Sequence, residues 1–482
     1  MDLERLTATL APGEVLHGAP VDVLDLAYDA REVAPGALFF CVPGQRVDGH
    51  DFAAEAVARG AAALVVDHPL DLPVPQLVVS DVRVAMAEAA GEFFGHPSHT
   101  LTLAGVTGTN GKTTTTFLLF AVLAAAGRRP GLLGTVEVRV GGERRPAVRT
   151  TPEAIDLQRE LREMLDAGDK SCALEATSHG SELHRLDGTR FAALVFTNLS
   201  QDHLDLHGTM ERYFDAKRRL FVEGEPPPAA VNVGDPYGRR LADELRALGR
   251  APVATFAFAG DADVRPEELE VSPRGARFRA AGIELQTALL GRFNVENVLG
   301  AVAAARLLGL PDEAIALGVA SVRGVPGRFE SVDEGQPFLV VVDYAHTPDS
   351  LETALRTARD LTEGRIICVF GSGGDRDRTK RPLMGRAVSE GSDVAIVTSD
   401  NPRSEDPGTI IREVLEGVSG GVEVEPDRAV AIARAVETAA PGDFVLIAGK
   451  GHEQGQESGG QTIPFDDREV ARDALRRLGA RA

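Results

Sequence analysis

The segment Gly105-Val106-Thr107-Gly108-Thr109-Asn110-Gly111-Lys112-Thr113-Thr114 constrains this chain most. Residues 101–106 are an apolar run that reads as a strand, and a helical pattern begins near Lys112. Strand, glycine-rich turn and helix in that order gather backbone N–H groups at a helix N-terminus, where they hold phosphate. Lys112 can then reach the outer phosphates of a nucleotide, and the Thr113 hydroxyl can ligate Mg²⁺. Glycine is needed where backbone approaches phosphate closely. The pattern departs from G-x-x-x-x-G-K-[ST], because Val106 stands at the first glycine position. A glycine-rich turn with a surface lysine is the plain alternative. The order of strand, turn, Lys-Thr and helix weighs against it.

A chain of 482 residues suggests three domains. Its 51 Lys and Arg against 72 Asp and Glu give a net charge of −21, which argues against nucleic acid as a partner. Cys41, Cys172 and Cys368 lie in apolar, strand-like contexts and read as buried free thiols of a reducing compartment. The N-terminus lacks a signal-peptide pattern, and no apolar run is long enough to span a bilayer. A cytoplasmic protein without membrane insertion, and a monomer, is the expectation.

The chain divides into three α/β units, with expected limits of 1–97, 98–325 and 326–482. The first is a small α/β unit with strands at 38–42, 63–66 and 76–79 and a helix at 52–59. Pro97-Ser98-His99 marks its end. The second carries the phosphate turn and strands at 173–175, 193–197 and 229–232, alternating with helices as in a mostly parallel sheet. Gly324-Val325-Pro326-Gly327 reads as the second hinge. The third is a doubly wound unit with apolar strands at 338–342, 366–370, 394–398 and 444–448. Each of these ends in polar sequence: Asp343-Tyr344-Ala345-His346, Gly371 to Arg378, Asp400-Asn401-Pro402-Arg403 and Gly449-Lys450-Gly451-His452-Glu453. Ligands of such sheets bind outside the carboxyl ends of the strands, so the four loops are expected to converge on one crest. The glycines at 371–374 lack the G-x-G-x-x-G spacing of a dinucleotide fingerprint.

In the middle unit, Glu175 closes a strand and can share an Mg²⁺ with Thr113, since that ion takes hard oxygen ligands. The run Asp202-His203-Leu204-Asp205-Leu206-His207 invites a zinc-hydrolase reading, but its spacing matches no zinc motif. His203, directly after a strand, is the better ligand candidate. His207 reads as a helix-start or surface histidine. Lys217, in Tyr213-Phe214-Asp215-Ala216-Lys217, reads locally as a solvated lysine on a helix.

These motifs, taken together and in order, resemble the Mur ligase family over the whole chain. The N-terminal carriers are Asp29-Ala30-Arg31-Glu32-Val33-Ala34-Pro35-Gly36 and Asp48-Gly49-His50-Asp51-Phe52. The central ones are Gly108 to Thr114, Glu175 to His179, Thr197-Asn198-Leu199, Asp202 to Asp205 and Ala216-Lys217. Asn294-Val295-Glu296-Asn297, Pro326-Gly327-Arg328-Phe329-Glu330, Asp343 to Pro348 and the later crest loops complete the set. The resemblance implies an ATP-dependent ligase. It implies that Lys217 is carbamylated by CO₂ and, with Thr113, Glu175 and His203, holds two Mg²⁺ ions. Lys112, Glu175, His203 and Lys217 would be the catalytic set. ATP would be held by Gly108, Thr109, Asn110, Gly111, Lys112, Thr113, Thr114, Asn294, Asn297, Arg328 and Asp343. Thr150, Thr151, Thr177 and Arg185, with Gln45 and Arg46, would grip a UDP-sugar peptide.

The implied substrates are ATP, UDP-MurNAc-L-Ala-D-Glu and an amino acid, joined through an acyl phosphate. The Asp400-Asn401-Pro402-Arg403 loop resembles the form that takes meso-diaminopimelate. Arg376, Gly449 and Glu453 would complete that pocket. Arg403 can grip a second carboxylate through paired N–H bonds, and lysine would leave it unmatched. Pairing of Arg403 with Asp400 or Asp406 is the plain alternative. Ala30 replaces a serine usual in the family, Ala176-Thr177 replaces Val-Ser, and Leu183 stands where glutamine is frequent, which bears on sugar binding. A lysine-adding ligase, a folylpolyglutamate-synthase-like ligase and an idle ATP-binding subunit are the rival readings.

Overall fold

The computed structural model describes residues 1–44 and 47–479. Three main sheets follow one another along the chain. The first has five strands, with Ala37–Phe40 and Ala63–Val66 buried at its centre and parallel to each other. The segment Pro97–His99 forms a short 3₁₀ turn after it.

The second sheet has eight strands. Its centre is Thr102–Thr107, flanked in parallel by Ser171–Glu175 and Ala193–Phe196. All three are nearly continuous apolar runs, as a strand covered on both faces requires. Helices Lys112–Ala125 and Arg292–Leu307 cover one face with Leu118, Leu119, Val298 and Leu299. On the other face pack Leu157 and Leu161 of Ala154–Asp166, and Tyr213, Phe214 and Phe221 of Met210–Val222. The carboxyl ends of the three central strands therefore lie side by side, and they deliver the phosphate turn, Glu175 and the Thr197-Asn198 pair to one edge.

The third sheet runs Glu330–Ser331, Leu339–Asp343, Phe444–Ala448, Ile366–Phe370, Val394–Val397 and Glu423–Val424, with only the first strand antiparallel. The expected crest is present. Gly449 N–H donates to the Asp343 carbonyl at 3.1 Å and Gly374 N–H to the Asn401 carbonyl at 2.8 Å. Residues 137–146, 267–287 and 455–464 add antiparallel ribbons for which the sequence reading had no strands. No helix among the described residues is long and apolar enough to cross a membrane. All three cysteines are buried and free.

Candidate active site

The phosphate turn is built as its glycines require. Gly108 has φ +146° and Gly111, which caps helix Lys112–Ala125, has φ +84°. A Cβ on Gly108 would lie 1.9 Å from Thr197 Oγ1, and one on Gly111 would lie 2.2 Å from Asn297 Oδ1. The next strand braces the turn. Asn110 N–H donates to Asn198 Oδ1 at 2.9 Å, and Thr197 Oγ1 donates to the Asn110 carbonyl at 2.6 Å. Lys112 folds its Nζ onto the Gly108 and Thr109 carbonyls at 3.0 and 2.7 Å.

Glu175 accepts from Thr113 Oγ1 at 3.1 Å, and from the Thr135 N–H and hydroxyl at 2.8 and 3.1 Å. A hydroxyl oxygen and a carboxylate thus face each other beside the turn, a donor set that suits Mg²⁺. Thr150 Oγ1 lies 3.1 Å from Thr135 Oγ1, and Thr151 Oγ1 donates to the Glu175 carbonyl at 2.7 Å. Thr177 caps helix Ser178–Glu182, and Arg185 holds the Thr151 carbonyl at 3.1 Å and Glu153 at 2.7 Å. Thr150, Thr151, Thr177 and Arg185 therefore form one patch next to Glu175. Gln45 and Arg46, also expected to bind the sugar peptide, lie outside the described residues.

Lys217 departs from its local reading: it is 1% exposed. Helix Met210–Val222, capped by Thr209, sets Tyr213, Lys217 and Phe221 four residues apart on its inner face. Lys217 Nζ donates to the Gly108 carbonyl at 2.8 Å and sits 4.6 Å from the Tyr213 ring centre. Burial, helped by the Lys112 charge, pushes its pKa well below the ordinary lysine value. His207 is likewise not a surface residue. It is 3% exposed, lies 3.1 Å from Ser178 Oγ and stacks on Tyr213. The sequence distance from residue 178 hides that partner.

His203 takes a left-handed conformation, φ +53°, and packs its ring edge-on to His179. Burial holds its imidazole below the ordinary pKa and so neutral, as a metal ligand must be. Among the described residues, the His, Cys, Asp and Glu groups near enough to share an ion are His50, Asp67 and His68 in the N-terminal unit. The 202–207 run forms no such cluster.

The third unit closes onto the turn. Asp349, in helix Pro348–Leu361, accepts from Ser200 Oγ at 2.9 Å and from Asn110 Nδ2 at 3.4 Å. Asp343 accepts from Phe329 N–H at 2.7 Å, and Arg328 stacks over Tyr344 at 4.5 Å. Asn297 reaches back to Asn294 at 2.9 Å and lies 3.5 Å from Thr115 Oγ1. The expected ATP residues thus come from four segments to the same seam, where the Arg328 charge acts on both Lys112 and Asp343. Asp349 is a contact the sequence reading missed, although it directly follows the quoted 343–348 stretch.

At the crest, Arg403 pairs with neither Asp400 nor Asp406. Its Nη1 donates to the Gly374 carbonyl at 2.7 Å, and its Nε lies 3.4 Å from Glu457. Asn401 Nδ2 donates to Glu453 at 2.7 Å. Asp400 lies against Gly449, where a Cβ would come within 2.3 Å of its carboxylate, and Pro402 covers Gly374. Arg376 is exposed, its Nη1 3.5 Å from the Asp375 carbonyl. Glu457, on strand Gly455–Ser458 of the unforeseen hairpin 455–464, joins this group.

The chain thus sets a phosphate turn, a hydroxyl–carboxylate pair and a buried lysine in its middle unit, and a crest bearing Arg403 and Glu453 in its third. Three family models match: Mur ligase family, catalytic domain, over residues 25–94; Mur ligase middle domain over 106–305; and Mur ligase, glutamate ligase domain, over 327–451. The chain is 47% identical to the UDP-N-acetylmuramoyl-L-alanyl-D-glutamate–2,6-diaminopimelate ligase of Geobacillus kaustophilus, covering 99% of this chain and 100% of the relative. It is 48% identical to the ligase of the same name from Geobacillus thermodenitrificans, covering 99% of each. A solved structure of a ligase with that name aligns with a TM-score of 0.69 at 34% identity, covering 95% of this chain and 96% of that one. The chain belongs to the Mur ligase family.

Proposed function

We propose that this chain adds meso-2,6-diaminopimelate to UDP-MurNAc-L-Ala-D-Glu in peptidoglycan synthesis, within units 1–97, 98–325 and 326–482. ATP phosphorylates the γ-carboxylate of D-glutamate and ADP leaves. The amine of the incoming amino acid then attacks the acyl carbon, phosphate departs, and the nitrogen sheds its proton as the amide forms. Lys112 and Arg328 would spread the charge of the phosphoryl group in transfer. Thr151, Thr177 and Arg185 would orient the peptide end of the sugar nucleotide toward Glu175. The closed seam would keep water from the acyl phosphate.

Thr113, Glu175, His203 and a carbamylated Lys217 would hold two Mg²⁺ ions, which supply charge neutralisation at the phosphates. Lys217 fits that role. It is a buried amine with no acidic hydrogen-bond partner among the described residues, and burial shifts it toward the neutral form that reacts with CO₂. Carbamylation replaces a buried amine with an anionic oxygen ligand. The cytoplasm and a monomeric state complete the reading.

One observation carries the assignment: Asp349 bonds Asn110 and Ser200, so the phosphate turn meets the unit that bears Arg403 and Glu453. A far-end carboxylate on the amino acid gives Arg403 an anionic partner beyond Glu457, whereas lysine offers it none. That difference is worth on the order of 1–3 kcal/mol, or about 5- to 150-fold in kcat/KM. Steady-state comparison of meso-diaminopimelate with L-lysine tests the choice. A clear preference for the former is expected, and equal efficiency overturns it.

A further inference from the structure

Lys450 is fully buried at the carboxyl end of strand Phe444–Ala448, and the chemistry described so far makes no use of it. Its Nζ donates to Asn401 Oδ1 at 2.8 Å and to the Gly455 carbonyl at 2.6 Å, and it lies 3.3 Å from Glu453 Oε2. Those contacts engage all three ammonium protons. Asn401 Oδ1 also accepts from Glu457 N–H at 3.0 Å, while Asn401 Nδ2 donates to the same Glu453 oxygen at 2.7 Å. The cation therefore fixes which way the Asn401 amide faces and where the Glu453 carboxylate points. It also ties the 400–403 loop to the start of the hairpin that carries Glu457, the partner of Arg403.

Hiding an ammonium from water is costly, and a closed network of this kind is retained where geometry matters more than stability. We propose that Lys450 is a positioning residue of the amino-acid pocket. Directly and through Asn401, it presets the Glu453 carboxylate to receive the ammonium of the distal end of a diamino diacid, while Arg403 receives that end's carboxylate. This rests on the reading under Proposed function and adds to it a residue that need not touch substrate.

The test uses the full-length enzyme with Lys450→Met and Lys450→Gln. Lys450→Met should raise the KM for meso-diaminopimelate about tenfold or more, with the KM values for ATP and UDP-MurNAc-L-Ala-D-Glu within about twofold of wild type. The first half-reaction, read as isotope exchange between ATP and ADP with the sugar peptide alone, should persist. Lys450→Gln keeps neutral donors toward Asn401 and Gly455, so its KM should fall between the two; it also supplies the reading if Lys450→Met does not fold. An unchanged KM for the amino acid, or an equal rise for all three substrates, overturns the proposal. Failure of the wild type itself to use diaminopimelate would instead overturn the substrate assignment.

Discussion

Lys217 donates to the carbonyl of Gly108 at 2.8 Å, which joins helix Met210–Val222 to the first glycine of the phosphate turn. The amine meets no carboxylate there, and the Tyr213 ring fills the space beneath it. Such a lysine is poor as a salt-bridge partner and well placed to be modified.

Lys217→Ala should therefore lower kcat by about a hundredfold or more, since a group that organises charge at the transferring phosphoryl is removed. Partial rescue by added short carboxylates is expected. In ¹³C-bicarbonate, wild type should give a carbamate carbon resonance that the variant lacks. Full activity in the variant would remove Lys217 from the mechanism.

Gly108→Ala and Gly111→Ala should each weaken ATP binding about tenfold or more, because both positions have positive φ and a Cβ would strike Thr197 or Asn297. Nucleotide titration of folded variants checks this. Wild-type affinity would show that the turn does not hold the phosphates.

These features differ in how far the sequence revealed them. The phosphate turn was legible because strand, turn and helix are contiguous, and Glu175 because it ends an apolar run. Lys217 was misread as solvated, although its four-residue spacing from both Tyr213 and Phe221 on one helix stripe was a visible signal of burial. His207 packs on Ser178 and Tyr213, which no local pattern encodes. The Asp349 contact and the Arg403–Glu457 pair depend on how distant segments meet, and the short polar hairpin 455–464 lacks the apolar alternation that marks a half-buried strand.

Arg403→Ala should raise the KM for meso-diaminopimelate about tenfold or more and shrink its advantage over lysine, by loss of a paired carboxylate contact. The KM for ATP should stay near wild type. An unchanged ratio of kcat/KM for the two amino acids would place the specificity elsewhere.

Glu160 gives a pH prediction remote from the chemistry. Burial, with Asp156 and Glu163 nearby, raises its pKa from 4.5 to about 7, and its Oε2 has no hydrogen-bond partner among the described residues. Between those two values the native state holds a proton that the unfolded chain has released, so this group's contribution to stability falls as pH rises through that window. Glu160→Gln should accordingly stabilise the protein by on the order of 1–3 kcal/mol at pH 8 and by little at pH 4.5. Thermal melts at the two pH values check the sign. Equal effects at both would contradict it.

A nucleotide held by the middle unit must meet an amine offered by the third, and phosphate release from ATP tests that coupling most directly. Steady release should appear when UDP-MurNAc-L-Ala-D-Glu and meso-diaminopimelate are both present, and should vanish when either is left out. Sustained release with ATP alone, or with the amino acid but no sugar peptide, would contradict it.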